Sequence, residues 1–199
     1  MDHFEIPRVK LLQKLSSETD QSTDRYVDGA KAGMLYNTVS GKAADTILVL
    51  NLRFTPGFTA LNKSNGQSWM ASNGQTMFAT EDGEDDSLRT MMEADATIDM
   101  GEYEIKPIHR HDLLLLDEDD GVIESPAIIE FVKSKLKVSQ VWNTNIAGSK
   151  GDRFSHVWEI GSETIKWNSM SWFNFTVNQF GVATDELHGQ AKEIFKTLK

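Results

Sequence analysis

The chain has 199 residues, 39% of them apolar and 25% charged, a globular composition long enough to bury an ordinary core without staples. It has no cysteine, which excludes a disulfide scaffold, an iron–sulfur protein, a cysteine-ligated zinc site and a thiol nucleophile. The formal net charge is −10, but residues 81–124 hold 16 acidic and three basic residues, so the two flanks together carry +3.

Residues 4–15 read as helix or extended chain, with Pro7 biasing Ile6 toward extended geometry. A polar loop over 16–24 and a turn at Asp28–Gly33 lead to a short strand, Met34–Val39, and a second turn at Ser40–Lys42. Residues 46–54 are the clearest strand, closed by Pro56-Gly57. Period-two alternation puts Leu48, Leu50, Leu52 and Phe54 on one face and Ile47, Val49, Asn51 and Arg53 on the other. Asn-Gly pairs at 65–66 and 73–74 signal tight hairpins around Trp69. A short helix around 87–94 capped by Asp86 or Ser87, a broken strand over 102–116 and a loop at Asp117–Gly121 follow.

Ser125 as N-cap and Pro126 in the first turn predict a buried helix over 126–143, with Lys133 and Lys137 emerging together one turn apart. Next come a strand at 154–160, a two-residue turn at Gly161-Ser162, a strand at 163–168 and another at 171–180. Thr184 caps an amphipathic C-terminal helix, 185–198, whose inner face is Leu187, Ala191, Ile194 and Leu198. The expected fold is one α+β domain over 1–199, with the acidic segment 81–124 partly loop. Its sheet is a curved antiparallel β-sheet or an OB-like barrel, in ordinary or variant form.

Signatures of catalysis are missing. Gly41-Lys42 is followed by Ala43 rather than the hydroxyl residue of a phosphate-binding loop, and no dinucleotide or nucleophile-elbow motif occurs. Aligning Gly121 with the sixth position of a calcium loop puts Leu116 and Ala127 at its two ends, so the acidic run reads as a surface turn. His109 and His111 would face one way on a strand, but two ligands without a third make no metal site, and they read as polar edge residues. The chain is therefore expected to be no enzyme, with no cofactor and no metal. It has no apolar run of the ~20 residues that cross a bilayer, and its opening decapeptide is no secretory leader, so a soluble, intracellular protein without membrane contact is expected.

A sequence-tolerant binder of single strands needs aromatic faces for bases and cations for phosphates. Outside its acidic block the chain interleaves the two: Arg53-Phe54, Phe58 with Lys63, Trp69, Lys150 with Arg153-Phe154, and Lys166-Trp167. The competing reading of any one aromatic is core packing.

A resemblance adds to this. The run Ile6-Pro7-Arg8-Val9-Lys10-Leu11-Leu12-Gln13, then Lys31-Ala32-Gly33 and Asn37-Thr38-Val39-Ser40-Gly41, resembles the opening of a family of bacteriophage single-stranded-DNA-binding proteins. The later Ser134-Lys135-Leu136-Lys137-Val138, Trp142-Asn143-Thr144, Phe154, Trp158 and the aromatic strand at 172–175 continue the likeness. Within that family the chain is most similar to the RNA polymerase cofactors of N4-like phages. The resemblance implies a non-enzymatic protein of the host cytoplasm that holds an unwound promoter strand and recruits the phage RNA polymerase. It also implies a departure from the ordinary OB barrel.

On this reading Lys31, Arg53, Lys63, Lys133, Lys137, Lys150, Arg153 and Lys166 track phosphate, and Trp69 and Trp167 stack on bases. Single-stranded DNA and the phage polymerase are the expected partners, and a homo-oligomer is compatible with cooperative binding. Bacterial single-strand binding proteins dock partners through an acidic tip; this chain ends Phe195-Lys196-Thr197-Leu198-Lys199, so the acidic segment 81–124 is the substitute docking element. Two rivals remain: an acidic protein–protein adaptor or DNA mimic that binds no nucleic acid, and a virion or assembly protein.

Overall fold

The computed structural model describes residues 7–64, 66, 68–69, 77–80, 84–94, 99–117 and 121–198. They belong to two compact units: the first draws on 1–54, 111–130 and 137–199, the second on 55–110 and 131–136. The elements in chain order are β1 (Arg8–Leu11), β2 (Leu35–Asn37), β3 (Ala43–Ala44), β4 (Ile47–Asn62), β5 (Ala79–Thr80), α1 (Glu84–Ala94), β6 (Tyr103–Leu116), β7 (Ile123–Val132), α2 (Leu136–Gly148), β8 (His156–Trp167), β9 (Met170–Val182) and α3 (Asp185–Thr197). The long strands β4, β6 and β7 each contribute a segment to both units.

In the first unit the strand order is β3-β2-β1-β7-β6-β4-β8-β9. The fold is α+β with a strongly curled, barrel-like sheet, as expected; one pair, β1 with β7, is parallel, so the sheet is mixed rather than antiparallel throughout. The curl brings β9 back to the segment after β1. There the Gln13 side-chain amide takes the place of a strand: its Nε2 donates to the Phe173 carbonyl at 3.1 Å and its Oε1 accepts from the Phe173 N–H at 3.0 Å. Gly33, at φ 98°, lies against the Phe173 ring, where a Cβ would collide, and its carbonyl accepts from Ser162 Oγ.

One face of this sheet packs against α3: Leu50, Leu52, Leu114, Leu116, Phe154 and Val157 meet Leu187 and Ala191, with Ile194 and Leu198 beside them. The helix begins where the sequence predicts, the Thr184 hydroxyl accepting from the Leu187 N–H at 3.2 Å. The other face carries α2, whose buried stripe is Ser139, Trp142 and Ile146. In the second unit Ala60, Trp69, Ala79, Leu88 and Met92 form the core, built on the β4–β5 pairing and α1.

Several expectations are corrected. The helix predicted over 126–143 is displaced: Ser125 and Pro126 lie in β7, and α2 starts at Leu136. The cap signal is local, whereas Ala127, Ile129 and Phe131 alternate inward and Ile128 and Ile129 pair with Arg8 and Val9 of β1. Strand pairing overrides the cap. Lys133, at φ 54°, ends the strand and opens a single 3-10 turn before α2, so Lys133 and Lys137 do not share a helix face.

Gly161-Ser162 is no turn. It sits inside β8, opposite Thr176 and Phe175, and the chain reverses at Asn168-Ser169 with Asn168 at φ 52°. Pro56-Gly57 does not end β4; Gly57 lets β5 approach, because a Cβ there would collide with the Ala79 carbonyl and the Phe78 ring. The alternation of β4 holds only to Leu52: Leu52 and Arg53 both reach the α3 side, and Phe54 joins Asn51 at His111. The strand over 103–116 is unbroken through Pro107, and α1 begins before its predicted caps. Gly66, at φ 70°, closes a turn onto the Asn62 carbonyl, while the 73–74 signal lies outside the described residues. Among those residues no helix is long and apolar enough to cross a membrane.

Candidate nucleic-acid interface

β8 and β9 form one long antiparallel hairpin, paired from His156–Val182 to Trp167–Met170. At its tip Trp167 is 64% exposed and Met170 61% exposed. Lys166, paired opposite Ser171, is exposed, and Lys14 Nζ donates to Ser171 Oγ at 2.8 Å. Lys31, also exposed, lies two residues from Gly33, which is fastened to the same hairpin through Phe173 and Ser162. The tip thus carries one open indole, with the cations Lys14 and Lys166 on the hairpin face opposite to it, because successive strand residues alternate. Lys14 is a contributor that sequence reasoning missed, because only the Gln13–Phe173 clasp brings it there.

The other predicted residues are distributed differently. Trp69, 6% exposed, packs in the core of the second unit, where it has no open face for a base. Lys63 and Lys133 are exposed in that unit; Lys63 Nζ donates to the Gly101 carbonyl, and Lys133 Nζ lies over Gly66. Lys135, beside Lys133, has its pKa lowered, first by burial and then by the Lys133 charge. Lys137 and Lys150 are exposed in the first unit. Arg53 is neutralised: its Nε donates to Asp112 at 2.6 Å and its Nη1 to the Leu198 carbonyl at 2.6 Å. Arg153 lies before the start of β8, whose run from His156 to the Trp167 tip spans roughly 35 Å at ~3.3 Å per residue. Within the first unit Arg53 and Arg153 thus stand apart from the Trp167 tip, while Lys63, Trp69 and Lys133 belong to the second unit.

Arg153 belongs to a buried polar chain. Its Nε and Nη2 donate to Asn51 Oδ1 at 3.2 and 3.1 Å, and Nη2 also donates to Asn143 Oδ1 at 2.7 Å. With Oδ1 accepting from Arg153, Asn51 Nδ2 is the donor to His111 Nδ1 at 2.8 Å, so the His111 proton sits on Nε2 and is donated to Ser139 Oγ at 2.7 Å. His111 is fully buried and stacks on Trp142 at 4.6 Å between ring centroids. It is a core residue, not the polar edge residue read from the sequence. Among the described residues, no group of three or more His, Cys, Asp or Glu could hold a metal ion.

A cleft of about 550 Å³ in the first unit has Leu35 and Leu115 in its lining and Asp28, Asp117 and Glu124 among its polar groups. Its one cation, Lys42, is paired with Glu124 at 3.5 Å. That acidic lining repels phosphate.

No curated protein matches the chain. The family model described as Pam3 phage gp34-like protein matches residues 1–199. The bacteriophage affiliation drawn from the sequence motifs holds: the chain belongs to the Pam3 phage gp34-like protein family.

Proposed function

We propose that the chain is a bacteriophage single-stranded-DNA-binding protein in which Trp167 stacks on a base while Lys14 and Lys166 engage neighbouring phosphates. The observation that supports this is the exposed indole at the β8–β9 turn, with Lys166 next to it in the chain and Lys14 held at Ser171, the pairing partner of Lys166. A strand tip suits the task, because a flat ring on a pre-formed turn loses little freedom on stacking. The resemblance noted above extends the proposal: the protein acts in the host cytoplasm as a transcription cofactor that holds unwound promoter DNA and recruits the phage RNA polymerase, without catalysis of its own.

The test is titration of the full chain with labelled oligo-dT across a salt series, read by anisotropy and tryptophan emission. Quenching is expected, because Trp142 and Trp158 are 1% exposed and Trp167 is open. The log–log salt slope should be about −0.7 per phosphate engaged. Trp167→Ala should weaken binding about 5- to 150-fold, the equivalent of ~1–3 kcal/mol for one stacked base. Absence of binding at low salt would remove the proposal. In that event, abundant protein in purified particles by mass spectrometry assigns the apolar tip to virion assembly instead. Promoter-dependent transcription by purified phage polymerase, with and without the protein, tests the cofactor role.

A further inference from the structure

We infer that Arg153 is a preformed seat for one phosphate group. A guanidinium has five N–H donors. In Arg153 the Nε donor and the two Nη2 donors are engaged by Asn51 Oδ1 and Asn143 Oδ1, all on the protein side. The two Nη1 donors have no acceptor among the described residues.

Nor has the charge a carboxylate. Arg8 pairs with Glu130 at 2.7 Å and Arg53 with Asp112 at 2.6 Å, but no described acid lies within ion-pair distance of Arg153. Its sequence neighbour Asp152 faces His188 instead, at 3.1 Å. The groups around the guanidinium are two neutral amides and the Phe54 ring, 5.9 Å away. Half-burial without a counter-charge lowers its pKa, yet an arginine at this site stays charged.

The seat is rigid. Asn51 is held by His111, and His111 by Ser139, so the guanidinium is oriented before any ligand arrives. An anion presenting one or two oxygens to Nη1 would satisfy both remaining donors, and little rotamer freedom is left to lose. Lys150 is exposed in the same loop, and Gly151, at φ 103°, is closed against Ser155, while Asp152 between them and Arg153 faces His188. The source of the phosphate, a nucleic-acid backbone, rests on the proposed function; the seat itself does not.

The experiment follows the arginine side-chain ¹⁵N resonances of the full chain during titration with inorganic phosphate, sodium acetate and oligo-dT in turn, with Arg153 assigned by its loss in Arg153→Lys. A saturable shift of Arg153 with phosphate and with oligo-dT, but not with acetate, is the expected result. Arg153→Gln should weaken oligo-dT binding about tenfold or more and reduce the salt slope by about 0.7, and Arg153→Lys should restore the slope but not the full affinity. If oligo-dT binds while Arg153 does not move, the seat is refuted and the proposed function stands. If phosphate moves Arg153 but oligo-dT never binds, the seat stands and the function fails. An equal response to acetate refutes a phosphate seat.

Discussion

Removal of the Asn51 side chain tests the buried chain from Arg153 to Ser139 most directly. Asn51 and His111 are both fully buried, so in Asn51→Ala the Nδ1 lone pair of His111 loses its donor in the core. An orphaned buried polar atom costs ~1–3 kcal/mol. Arg153 loses the acceptor for Nε and one Nη2 donor, but it is half-exposed and water compensates in part. Loss of the side-chain volume adds a cavity term, giving an expected destabilisation of about 2–4 kcal/mol. For a chain of this length that corresponds to a fall in Tm of roughly 4–16 °C. Ser139→Ala strands the Nε2–H of the same ring and should cost about 1–3 kcal/mol. Because both variants act through His111, the double variant should be non-additive by at least ~0.5 kcal/mol. The assay is urea unfolding followed by tryptophan emission, since Trp142 stacks on the imidazole. A loss below about 0.5 kcal/mol for Asn51→Ala, with unchanged emission, would refute the closed network.

Two further outcomes are expected in the second unit. Gly57→Ala should break the β4–β5 pairing, because its Cβ meets the Ala79 carbonyl; faster proteolysis within 77–94 with unaltered Trp142 emission would show it, and an unchanged digestion rate would contradict the packing argument. Lys135 has a folded pKa below its ordinary 10.5, from burial first and Lys133 second, so its charge opposes folding at neutral pH. That opposition is complete below the folded pKa and is lifted as pH rises through the interval up to 10.5. Lys135→Met should therefore raise the urea midpoint at pH 7 and give a smaller gain at pH 10; an equal gain at both would show that charge is not the cause.

Local signals read well wherever nothing distant competes with them. The Thr184 cap and the Leu187, Ala191, Ile194 and Leu198 stripe are contained in one helix, and both are as read. The β-rich run after Thr46 forms a strand for the same reason. Ser125-Pro126 and Gly161-Ser162 failed because each is a short-range preference worth about 1 kcal/mol, set against pairing along a whole strand. The aromatic–cation pattern was legible as composition but not as a surface. Trp69 and Trp167 look alike in sequence, yet one is core and the other open.

The chain's own pattern of residues determined its α+β character, its acidic middle segment and its lack of cysteine chemistry, since these depend on composition and short periods alone. Only the tertiary structure decided which arginine is neutralised, which indole faces solvent, and that His111 is sealed between Asn51 and Ser139. Arg53 meets Asp112 and Lys14 meets Ser171 across 59 and 157 positions of sequence. Contacts of that separation are set by sheet order and curl, which no local window of sequence encodes.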